Sequence, residues 1–202
     1  MEARRGNRYL VDQSGNVDER SLEAIECALK AFDMGRQMDE RFADKLKSKL
    51  SRIEIKRTLR KFRDFTICSQ TIAELKTDVQ DLYGALSAAG DDGLSADPQH
   101  RFSVGATKIM NFLFPELSVI VDSNVQKAIN CYIPDFDKWT LDSDRYWQVM
   151  MICAKELGEW KEQRGGLDRL LKLDSKPTTL TRIFDKCAFI IGKCGMSAMY
   201  RK

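Results

Sequence analysis

The apolar positions of this chain repeat with a helical period almost throughout. Leu22, Ile25, Leu29 and Phe32 share one face and predict a first helix that starts near Asn16 or Asp18, with Gly35 as its stop. Phe42, Leu46, Leu50, Ile53 and Leu59 predict one long helical segment from about Met38 to Phe65. Ile72, Leu75, Val79, Leu82 and Leu86 predict a helix over 69–89, capped by Ser69 or Thr71. The run from Ala88 to Pro98 carries Gly90, Gly93 and three Asp residues and breaks the pattern.

The next segment is the most hydrophobic of the chain. Ile109, Phe112 and Leu113, widened by Met110 and Phe114, predict a helix that Pro115 ends, since proline disfavours helical backbone in the residue before it. Gly105 is expected to open that helix with a tight turn, which places Lys108 in or just inside its first turn. The apolar run Val119–Val121 leads into Asp122, a short acceptor in N-cap position before a helix carrying Val125, Ile129 and Tyr132. Tyr146, Val149, Met150, Cys153 and Leu157 predict a helix over 142–160, ended by Gly165-Gly166. A short segment at 167–173 and a last helix over 178–192 follow. No strand pattern, internal repeat, P-loop or dinucleotide fingerprint is present. The expectation is an all-α fold of about eight helices. It is read as a single domain spanning 1–202, with two packed lobes around a cleft near 104–125.

Charge changes the picture in one place. The chain is only +3 overall, yet residues 41–63 hold ten Lys/Arg against Asp44 and Glu54, a local excess of +8. Such density favours a phosphate-bearing partner, because each neutralised phosphate releases counterions. Lys45, Lys49, Arg52, Lys56 and Arg60 are the candidate nucleic-acid contacts on this face. Arg182 and Lys186, four apart, form a smaller basic patch.

Composition mainly excludes. No apolar run approaches the roughly 20 residues of a membrane span, and the N-terminal Met1–Arg8 stretch lacks the apolar core of a signal peptide. Six cysteines are scattered through apolar helical patterns without a Cys-x-x-Cys pair, which points to a reducing, cytoplasmic setting. With His100 as the single histidine, a histidine-based zinc site or catalytic triad is not expected. No metal or other cofactor is called for.

The candidate chemistry lies in the central stretch. A lysine near an apolar wall has a destabilised ammonium form and hence a usable free amine. A carboxylate fixed at a helix start fourteen residues later can assist it. The order Val104-Gly105, Lys108, apolar helix, Pro115, apolar run, Asp122, helix resembles the helix-hairpin-helix DNA glycosylase superfamily, especially its 8-oxoguanine branch. Pro177 to Lys186 is similar to a closing helix of the small members. The resemblance implies that Val104, Gly105 and Thr107 lie on the backbone of duplex DNA, that Lys108 attacks C1′ of a damaged nucleoside, and that Asp122 assists. It also implies base flipping onto aromatic side chains, for which Tyr146, Trp147 and Phe189 are candidates. Some members carry a four-cysteine iron–sulfur loop. Cys187 and Cys194 have the spacing of its first two ligands, but no third or fourth follows, and both are read as structural.

Three features separate this chain from the pattern. Arg101-Phe102-Ser103-Val104-Gly105 stands where the usual Leu-Pro-Gly-Val-Gly hairpin would be, the lysine is one residue further from the glycine, and the lysine-to-aspartate interval is shorter. The altered hairpin and the short interval favour a second reading, a nucleic-acid-binding protein with the fold and without the chemistry. A helical adaptor for another protein is a third. Which lesion is recognised, DNA or RNA, and the oligomeric state stay open at this stage.

Overall fold

A computed structural model describes residues 10–136, 140–163 and 178–194, with the backbone alone at 161–163. The described residues form eight α-helices: α1 (Glu19–Ala31), α2 (Phe42–Leu50), α3 (Ile53–Phe62), α4 (Lys76–Ser87), α5 (Ser103–Leu113), α6 (Ser123–Ile129), α7 (Ser143–Gln163) and α8 (Leu180–Lys193). Among them there is no strand, and an isolated antiparallel bridge joins Met38 to Ser95. The all-α expectation holds. No described helix is long and apolar enough to cross a membrane.

Buried side chains from Val11 to Ala188 form one continuous cluster. α4 runs through its centre and packs on α2, α3, α5 and α7, while α1 lies on α2 and α5. Aromatic pairs tie these layers together. Phe62 meets Phe114 edge to face at 5.4 Å, and Tyr83 stacks on Tyr146 at 4.8 Å, spacings typical of favourable ring pairs. The Tyr83 hydroxyl donates to Leu141 O at 2.8 Å, so this buried phenol keeps a partner. Its burial pushes the Tyr83 pKa up to about 12.

Several boundaries depart from the sequence pattern. The long basic segment is two helices, α2 and α3, broken at Ser51-Arg52, where Arg52 is extended (ψ 139°). The break shifts the buried face: Ile53 is 85 % exposed, and Ile55, Leu59 and Phe62 take its place in the core. The helix expected over 69–89 starts at Lys76, after a 3₁₀ turn over Ile72–Leu75. α6 ends at Ile129, so Tyr132 lies outside it, 48 % exposed. The Gly165-Gly166 stop and the 167–173 segment lie outside the described residues.

Candidate functional site

α5 begins at Ser103, not at Gly105, so Lys108 stands in its second turn. Gly105 is helical, and what requires it is crowding: a Cβ there would lie 2.0 Å from the Phe102 ring. Phe102 is itself buried and packs on Phe42 at 5.9 Å. α5 is buried on nearly every side, Lys108 included at 8 % exposed.

The segment after α5 folds back beside it. Thr107 Oγ1 donates to Val104 O at 2.8 Å and accepts Val121 N–H at 3.1 Å. Asn111 Nδ2 donates to Ser118 O at 2.6 Å, a second tie between the helix and the returning strand-like run. Ser118 O and Val121 N–H thus find side-chain partners on α5 without a sheet. Asp122 then caps α6, its Oδ1 accepting both Asn124 N–H and Val125 N–H at 2.9 Å. Both cap bonds fall on one oxygen, so the cap leaves Oδ2 uncommitted.

α8 closes the site from the other side. It is capped by Thr179, whose Oγ1 accepts Arg182 N–H at 3.2 Å, and the Thr181 hydroxyl donates to Pro115 O. Asp185 is 3 % exposed and its Oδ1 accepts Ile120 N–H at 3.0 Å. α8 lies against α6, with Gly192 at the tightest approach: a Cβ there would sit 1.8 Å from Asn124 O.

Between these elements is a half-open pocket of about 410 Å³. Its cations are Lys108, Arg182 and Lys186, and its acids are Asp122 and Asp185. Phe32, Phe189 and Ile190 rim it, each more than a third exposed although large and apolar. The Lys108 Nζ lies 4.6 Å from the centre of the Phe32 ring, within reach of a cation–π contact. Burial pulls the Lys108 ammonium below the ordinary lysine value; the Asp122 charge opposes this and the Arg182 charge adds to it. Asp185 behaves in the opposite sense. Burial raises its carboxyl well above the ordinary range, against the pull of Arg182 and of the Ile120 N–H. Arg182 Nη1 is 3.7 Å from Asp185 Oδ2 without a hydrogen bond, and too loosely placed to offset the burial.

Lys108 and Asp122, singled out in the sequence, therefore line one pocket. The other expected contacts divide. Thr107 is fully buried with its hydroxyl committed inside, and Gly105 lies beneath Phe102, so neither faces a DNA backbone; Val104 is half-buried. Of the aromatic candidates, Phe189 rims the pocket. Tyr146 and Trp147 belong to the core, and the Tyr146 hydroxyl is held by Ser118 at 2.5 Å and Val119 O at 3.2 Å. Sequence reasoning did not assign Phe32 or Asp185 to the site. Arg182 and Lys186 carried a signal, two cations four apart on a helix, without an indication of what they face.

Half of the ten cations of the basic segment are ion-paired among the described residues. Lys45 pairs with Asp39 at 2.7 Å, Lys47 with Glu19 at 2.5 Å and Lys61 with Asp78 at 2.5 Å. Asp92 lies 3.2 Å from Arg52 and 4.0 Å from Lys49, which is only 3 % exposed. Lys49 is thus a buried cation and not a surface contact. Arg60 is exposed and Lys56 half-buried, and neither has an ion pair among the described residues. No cluster of three His, Cys, Asp or Glu suited to a metal occurs among the described residues. Cys187 lies on α8 and Cys194 caps its C-terminus.

The chain has no significant match to a family model, to a curated protein or to a solved structure.

Proposed function

We propose that the protein is a DNA base-excision enzyme that works through a lysine Schiff base on a damaged base such as 8-oxoguanine. The observation that carries this reading is the shared pocket of Lys108 and Asp122, with the lysine desolvated against Phe32. A lysine amine is a nucleophile only when unprotonated, and a desolvated amine is unprotonated at lower pH than one in water. Asp122 Oδ2 either accepts the ammonium proton or, where the amine is already free, stays ionised and faces the positive charge that develops on the sugar. The Lys108 nitrogen bonds to C1′ while the C1′–N glycosidic bond breaks, and the base leaves with the electron pair. Ring opening gives the imine. Loss of a proton from C2′ then expels the 3′ phosphate, cutting the strand without water or a metal. The apolar rim of Phe32, Phe189 and Ile190 suits a flat base rotated out of its stack.

Borohydride trapping tests this on duplexes that carry 8-oxoguanine, uracil or an abasic site. A covalent protein–DNA adduct is expected with wild type and absent in Lys108→Gln. An adduct of equal yield in Lys108→Gln refutes the nucleophile.

The second reading is a nucleic-acid-binding protein without turnover. It is favoured by the helical placement of Val104-Gly105 under Phe102, which removes the exposed hairpin turn. It predicts salt-sensitive DNA binding with no adduct.

A further inference from the structure

One buried group in the pocket has an atom without a hydrogen bond, its nearest charge the loosely placed Arg182 guanidinium at 3.7 Å. Asp185 Oδ1 is taken by Ile120 N–H, whereas Oδ2, buried and beside the pocket, has no hydrogen bond. An unsatisfied buried carboxyl oxygen carries a free-energy cost, and such groups persist where a ligand meets them. The surroundings say what kind of ligand. Lys108, Arg182 and Lys186 only donate hydrogen bonds, and the rim is apolar and aromatic. A flat heterocycle with an acceptor-rich edge fits this set.

The charged and titratable groups around Asp185 come from four elements. They are Arg182 and Lys186 on α8, Asp122 at the start of α6, Lys108 on α5, and Tyr146 and Cys153 on α7. Burial dominates among them and holds the Asp185 carboxyl protonated beyond the usual carboxylate range. Oδ2 then bears the hydrogen, because Oδ1 is accepting from Ile120.

We propose that Asp185 is the base-reading residue of this pocket, its Oδ2–H donating to a ring acceptor of a purine held against Phe32 and Phe189. The proposal rests on the base-excision reading for its biological setting, but it concerns binding and is tested apart from catalysis. Arg182, whose side chain is 37 % exposed, yields as the base comes up to Oδ2.

The experiment is a ligand-observed NMR titration of the full chain with guanosine, and with indole as a flat two-ring control that has no ring acceptor. Wild type is expected to bind guanosine saturably, and to lose about tenfold in affinity as pH rises through the Asp185 titration, the worth of one such hydrogen bond. Asp185→Asn keeps both an acceptor for Ile120 and a donor toward the pocket, so it should bind guanosine with no pH dependence. Asp185→Leu should lose about tenfold for guanosine and nothing for indole. Wild-type guanosine affinity in Asp185→Leu overturns the proposal. So does failure of wild type to bind guanosine, or an Asp185→Asn protein that is folded by circular dichroism and yet behaves like Asp185→Leu. The two readings separate cleanly. Guanosine binding that depends on Asp185, without any borohydride adduct, refutes the lysine chemistry and keeps the base reader. An adduct without guanosine binding does the reverse.

Discussion

The hydroxyl of Thr107 accepts the N–H of Val121 at 3.1 Å, and this bond ties together the chain segments that bring Lys108 and Asp122 to one pocket. The two partners are the immediate neighbours of the two site residues, so one hydrogen bond fixes the register of the whole pair. The same hydroxyl donates to Val104 O, so it is fully used and fully buried. Thr107→Val keeps the shape and removes both bonds, which leaves a buried N–H unpaired at a cost of about 1–3 kcal/mol. The expected result in a denaturant titration is that loss, together with reduced trapping. Thr107→Ser should restore most of both. A Thr107→Val protein as stable and as active as wild type would falsify the register role.

Lys108 should act as a buried, reluctant cation. Its folded pKa lies below the unfolded value, so between the two the unfolded chain binds more protons, and stability rises with pH across that window. Removing the charge removes the burden. Lys108→Met, similar in length and apolar, is expected to raise stability at neutral pH by about 1 kcal/mol, a thermal shift of about 2–4 °C for a chain of this size. The gain should shrink as pH approaches the ordinary lysine value. Thermal melts across pH decide it, and a destabilised Lys108→Met protein would argue that the lysine is structural.

Much of this was legible beforehand, for physical reasons. Helices announce themselves through apolar periodicity, and α1, α7 and α8 follow it closely. Asp122 was readable as a cap because capping is local chemistry. What escaped depends on distant partners. The break at Arg52 turns Ile53 outward although the periodicity runs on without interruption. The basic run looked like a phosphate-binding face because its acids, Glu19, Asp39, Asp78 and Asp92, come from elsewhere in the chain. Asp185 carried no signal of its own in the sequence, and the packing of α8 on the 118–121 run buries it.

Two glycines in helices should respond oppositely to alanine. Gly192 touches the α6 backbone at Asn124 O, where an added Cβ has 1.8 Å, and neither helix backbone can yield cheaply. Gly192→Ala should cost about 1–3 kcal/mol, with α8 displaced and guanosine binding weakened. Gly84 in α4 has nothing within 4 Å of the same position. Gly84→Ala should stabilise by about 0.5–1 kcal/mol through helix propensity alone. Denaturant midpoints of the two variants check the contrast, and equal effects would mean that α8 does not seat on α6 as described.

Asp185 leaves a stability signature of its own. Its folded pKa is raised, so the folded chain holds a proton that the unfolded chain releases above the ordinary carboxylate value. Wild-type stability should therefore fall as pH rises from that value through the folded pKa, and level off beyond it. Asp185→Asn keeps the Ile120 bond and has nothing to titrate. The difference between the two melting temperatures should grow with pH across that window and then stay constant. A difference that does not change with pH would show the carboxyl to be ionised in the folded protein.

DNA contact, if the basic helices make it, should be confined to the part of the segment that lacks internal ion pairs. Lys56 and Arg60 lie one turn apart on α3 and belong to that part, whereas Lys45 and Arg52 are already paired and Lys49 is buried. Arg60→Glu and Lys56→Glu should each weaken duplex binding and reduce the slope of log affinity against log salt by about one. Lys49→Ala should leave that slope unchanged, since a buried ammonium neutralises no phosphate. Fluorescence anisotropy with one duplex at several salt concentrations measures all three. If Lys49→Ala lowers the slope while Arg60→Glu does not, the DNA-facing side has been assigned to the wrong residues.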